Sequence, residues 1–118
     1  MQPDGRVRAW LWDIEAAADA IVRFIQGLNS ETYGGSEQVT AAVERKFEVI
    51  GEVLAQMLKT APETAERIPD IRQIIAFRNL LIHGYAAVQH DRVFRIAQSS
   101  LPELRRTVAE LLRELGAP

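Results

Sequence analysis

The chain has 118 residues, of which 47% are hydrophobic and 25% charged; its net charge is −2 and it has no cysteine. These values fit one globular domain spanning residues 1–118, exclude disulfides and thiolate-held metals, and do not describe a general nucleic-acid binder. No apolar run reaches the roughly 20 residues that span a bilayer, and the polar stretch Met1 to Arg8 lacks the core of a signal peptide, so a cytoplasmic location away from membranes is expected.

Residues 9–28 read as a first helix, because Trp10, Ile14, Ala17, Ile21, Phe24 and Leu28 recur every three or four positions. Trp12 falls about 200° from Trp10 on that wheel, so the two cannot share one core, and one of them faces either a second contact surface or solvent. Asn29 to Gly35 is a loop by composition, and Ser36 is placed to cap a second helix that runs to about Lys59. Its stripe is Val39, Val43, Phe47, Ile50, Leu54 and Met57. Gly51 inside this helix costs about 1 kcal/mol relative to Ala, which a close approach by another backbone would offset. Glu48 and Glu52, four apart, share a face and suit arginine partners or solvent better than a metal, since no His or Asp accompanies them.

Pro62 to Pro69 is a short connection with room for a helical turn. Asp70 is placed to cap a third helix with Ile71, Ile74, Ile75, Leu81 and Ile82 on its apolar side and Gly84 ending it in a left-handed conformation. Asp91 opens a last helix to about Leu115, carrying Val93, Ala97, Leu101, Leu104, Val108, Leu111 and Leu115; Pro102 predicts a kink or restart there. No strand and no repeat are evident. The fold expected is all-α, an up-and-down helical bundle of four main helices with the last kinked near Pro102.

Charge is unevenly spread. Residues 1–70 carry 7 Lys/Arg against 12 Asp/Glu, whereas 71–106 carry six Arg against two acids. Either these arginines lie on ordinary solvated faces, or they form a local field that draws a phosphate, with Arg72, Arg92 and Arg95 as candidate contacts. Within this segment the stretch Arg78-Asn79-Leu80-Leu81-Ile82-His83-Gly84-Tyr85 gathers unusual chemistry. Asn79 and His83 are four apart and share a face, while Arg78 lies about 140° from His83 and must lean toward them. An arginine fork binds a phosphodiester, a histidine gives or takes a proton near neutral pH, and an asparagine orients a hydroxyl or fixes a tautomer. The same residues also suit a plain structural role: a histidine at a helix C-terminus, an arginine bridging to Glu48 or Glu52, a tyrosine anchoring a core. His90 is a further candidate acid or base outside this stretch.

The Arg78-x4-His83-x-Tyr85 pattern resembles the Arg-x4-His motif of the HEPN superfamily, in the form found in HepT toxins of MntA/HepT toxin–antitoxin systems. Phe47-Glu48-Val49-Ile50-Gly51-Glu52 is similar to the family's second helix, Ile75-Ala76-Phe77 to its approach to the motif, and Ser100-Leu101-Pro102-Glu103-Leu104 to the break in its last helix. The resemblance extends from about Arg8 to Leu115. It implies a metal-independent endoribonuclease without cofactor, acting on RNA in a cleft at a homodimer interface. In this reading the protein is the toxin of a type II or VII-like system, neutralised by a partner nucleotidyltransferase antitoxin. Carried over residue by residue, Arg78 would hold the scissile phosphate, His83 would act as general acid or base, and Asn79 would position one of them. Tyr85 would be the tyrosine that the partner adenylylates. The alternative is a non-catalytic HEPN subunit of a minimal nucleotidyltransferase that binds a nucleotide or substrate.

Overall fold

The computed structural model describes residues 3–116; the side chains of Pro3, Asp4 and Tyr85 lie outside what it describes. Six α-helices follow one another: α1 Pro3–Ile25, α2 Ser30–Gly34, α3 Glu37–Thr60, α4 Pro62–Ala65, α5 Ile71–His83 and α6 His90–Glu114, with a 3₁₀ turn Tyr85–Ala87 between the last two. No strand occurs among the described residues. Four of the six are long, as the bundle expected from the periodicity requires.

α1 starts a turn and a half before position 9, because Val7 and Leu11 join the core, and the chain leaves it through Gly27 at φ 81°. Trp10 packs at the edge of the core, while Trp12 is 51% exposed. The expected loop 29–35 contains α2. Its start is a reciprocal capping box, in which the Asn29 side chain accepts from the Thr32 N–H and the Thr32 hydroxyl accepts from the Asn29 N–H. Ser36 caps α3 through the Val39 N–H, and Val43, Phe47, Ile50, Leu54 and Met57 are all buried.

Two terminal expectations for α5 are corrected. Asp70 precedes the helix, but it adopts φ 56° and ψ 31°, and its side chain makes no capping bond. Gly84 has φ −116° rather than a left-handed angle, and its N–H continues the helical pattern to the Leu80 carbonyl at 2.8 Å. A Cβ there would sit 2.9 Å from Leu80 Cδ1, the movable end of a side chain, and 3.3 Å from the Leu80 carbonyl oxygen. α6 begins at His90, not Asp91, and Asp91 instead places a negative charge in the first turn, where the helix dipole favours it. α6 also continues through Pro102 without a restart.

α1 packs on α3 and α6, α5 packs chiefly on α3, and α2 covers the start of α6. Polar ties join distant parts: Arg8 Nη2 donates to the Leu115 carbonyl at 2.6 Å, and Arg105 Nη2 donates to Asp19 at 2.7 Å. Since Arg8 and Asp19 meet Leu115 and Arg105 in reverse order, α1 and α6 run antiparallel. No helix among the described residues is long and apolar enough to cross a membrane.

Candidate functional site

The 78–83 stretch lies in the second half of α5, and its placement depends on Gly51. A Cβ on residue 51 would fall 2.7 Å from Arg78 Cγ and closer still to its Cβ, with the Ile74 carbonyl at 3.6 Å. The glycine therefore lets α5 settle against α3 with the root of Arg78 in the gap, the close approach expected there. Phe47 and Phe77 support the contact, edge to face at 5.4 Å between centroids.

Seated in this way, the Arg78 side chain is only 18% exposed, and its guanidinium stands 3.6 Å from Glu52 Oε2. At that separation the two make a charge pair without a hydrogen bond. Arg78 Nε is buried and has no hydrogen-bond partner among the described residues. A buried donor left unmatched costs about 1–3 kcal/mol. Glu48 on the previous turn of α3 faces Arg45 instead, at 3.3 Å.

Asn79 and His83 are both exposed, and their four-residue spacing puts them on one outer stripe of α5, which also includes Arg72. Arg78 is thus held inward while Asn79 and His83 project outward. The backbone of Tyr85 opens the 3₁₀ turn directly after them. Ile82, expected on the apolar side, is 39% exposed beside His83.

The other arginines are dispersed. Arg72 makes two hydrogen bonds to Glu66, at 3.0 and 2.8 Å, which hold the Glu66 carboxyl below the ordinary carboxylate range. Arg92 borders a groove of about 450 Å³ between α5 and α6, floored by Phe47 and Ile50. Arg95 stands 3.9 Å from Asp91, near the α2 end of α6. Each of the three thus has surroundings different from those of Arg78.

His90 belongs to a separate cluster. Its Nδ1 is 3.5 Å from Glu44 Oε2, and its ring meets Tyr33 edge-on at 6.2 Å. Burial raises the Glu44 carboxyl above its ordinary value, His90 partly offsets this, and Glu48 adds to it. Burial first, and the Glu44 charge second, push ionisation of the Tyr33 hydroxyl well above the ordinary phenol range. Sequence reading missed Tyr33; the signal available was an aromatic residue one place after the Asn29-x-x-Thr32 capping pair.

Comparison with known proteins bears on this arrangement. The profile described as Ribonuclease HepT-like matches residues 14–111. The chain is similar to "Putative RNase MJ0125" of Methanocaldococcus jannaschii, 28% identical over 96% of this chain and 97% of that protein. It is similar to "Putative RNase MJ1216" of the same organism, 27% identical over 96% and 93%. It also resembles "Putative RNase TTE0752" of Caldanaerobacter subterraneus subsp. tengcongensis, 26% identical over 91% and 95%. No solved structure gives a significant match. With the profile covering most of the helical bundle and the whole α5 stretch, the chain belongs to the HepT-like ribonuclease family.

Proposed function

We propose that this protein is a metal-independent endoribonuclease, active as a homodimer whose two α5 helices meet across an RNA-binding cleft. The observation that carries the reading is the seating of Arg78. Its guanidinium is held inward at Gly51 with an unmatched buried Nε, next to a helix face that presents Asn79 and His83. Arg78 holds the scissile phosphate through charge and a fixed donor fork. His83 exchanges the proton that cleavage requires, and Asn79 orients the histidine or the ribose hydroxyl. The 2′-hydroxyl attacks the adjacent phosphorus and leaves a cyclic phosphate end. The names of the similar proteins above agree with RNA as substrate.

In this reading the protein is the toxin of a toxin–antitoxin pair, restrained by a nucleotidyltransferase that adenylylates Tyr85. Tyr85 lies two residues after His83 in the sequence, so an added AMP would bring bulk and negative charge to the end of the motif. The test is RNA cleavage by purified dimer in excess EDTA, wild type beside His83→Ala, after mass spectrometry has shown Tyr85 unmodified. Cleavage by wild type alone supports the reading; inactivity of both folded, dimeric proteins refutes it.

A further inference from the structure

Cleavage by an internal 2′-hydroxyl needs two proton transfers. A base must take the hydroxyl proton, and an acid must give one to the departing 5′-oxygen. Attack and departure are in line, so base and acid belong on opposite sides of the phosphorus, and one histidine cannot fill both places in a single step. Resting on the ribonuclease reading above, we propose that Glu52 is the general base, with Arg78 holding the phosphate and His83 serving as the acid.

Three observations support this assignment. First, Glu52 follows Gly51, the residue that draws α5 onto α3, so its carboxylate comes level with the Arg78 guanidinium at 3.6 Å. A phosphate seated on Arg78 is therefore within reach of Glu52. Second, the carboxylate is free to act. Its side chain is 59% exposed and no hydrogen bond ties it to Arg78. The neighbouring α3 carboxylates are engaged elsewhere, Glu48 with Arg45 and Glu44 with His90. Third, the positions suit opposite sides. Glu52 approaches from α3, whereas His83 lies about 7.5 Å further along α5 than Arg78 and about 140° round it.

The step balances. Glu52 carboxylate takes the 2′-hydroxyl proton as the 2′-oxygen bonds to phosphorus. The phosphorus–5′-oxygen bond breaks, and the 5′-oxygen takes a proton from His83 imidazolium. The products are a 2′,3′-cyclic phosphate and a 5′-hydroxyl, and solvent restores both protonation states.

The experiment compares wild type, Glu52→Gln and His83→Ala on an RNA substrate and on the same substrate with sulfur replacing the scissile 5′-oxygen, all in EDTA, with folding and dimer state checked. A thiolate departs without an acid. Glu52→Gln is expected to lower kcat on both substrates by at least about 100-fold, with KM within about two-fold and the acid limb of its pH–rate profile lost. His83→Ala is expected to recover on the sulfur substrate only. Retention of kcat in Glu52→Gln beside an inactive His83→Ala overturns the assignment alone. A loss seen as raised KM overturns it too, and makes Glu52 a positioning residue for Arg78. Absence of cleavage by wild type overturns the ribonuclease reading and this assignment together.

Discussion

Gly51 of α3 and Arg78 of α5 are packed so closely that no larger residue fits at position 51 without moving the arginine. Gly51→Ala would gain up to about 1 kcal/mol of helix propensity, but overpacking of this kind costs about 1–3 kcal/mol. A net destabilisation of roughly 1 kcal/mol is expected by urea titration. On the role proposed for Arg78, RNA cleavage should fall much further than that loss explains, because the arginine is the side chain displaced.

Arg78→Lys keeps the charge and removes the fork, including the buried Nε. Cleavage is expected to fall at least ~10-fold, a loss of about 1.4 kcal/mol in transition-state stabilisation, with the thermal midpoint nearly unchanged. Recovery of full activity by lysine would mean that charge alone is required.

Tyr33 is fully buried against Phe94, at 5.3 Å between ring centroids, and its hydroxyl has no hydrogen-bond partner among the described residues. Tyr33→Phe removes the unmatched group and keeps the ring. Stability should rise by about 1 kcal/mol, read as a higher urea midpoint with an unchanged slope.

Glu44 makes stability depend on pH. Burial, reinforced by Glu48 and opposed by His90, raises its carboxyl above the ordinary 4.5. The fold therefore favours the neutral acid. That contribution is fully present below about the ordinary value and is lost as pH rises through the folded one. Glu44→Gln stays neutral throughout, so its thermal midpoint should exceed that of wild type near pH 7, and the difference should close near pH 4. A Glu44→Gln midpoint that falls below that of wild type on mild acidification would show that the His90 pairing outweighs the burial.

The scaffold was largely legible in the sequence, and the site only in part. The α3 stripe from Val43 to Met57 and the Ser36 cap are local patterns, and local patterns survive folding. Gly51 announced a close approach because a glycine in an apolar stripe has few other reasons to be there. That Arg78 fills the gap was not readable, since spacing along one helix does not say which residue of another will face it. The failure of Asp70 as a cap has a different, local origin: its backbone adopts a left-handed angle instead of the extended one that a capping side chain needs. α2 escaped because its Ser-, Gly- and Asn-rich segment has the composition of a loop, while the buried Tyr33 that anchors it is a single residue.

α5 rests chiefly on one neighbour, and only Ile71 and Leu81 of its thirteen residues are buried, against seven of the 24 in α3. Its attachment is therefore the weakest among the long helices, and local opening begins where apolar contact is sparse. On heating or in denaturant, α5 should come away while α1, α3 and α6 still hold together. Loss of the Arg78 seat would then precede the main loss of helicity, so inactivation and global unfolding become two separable events in the same molecule.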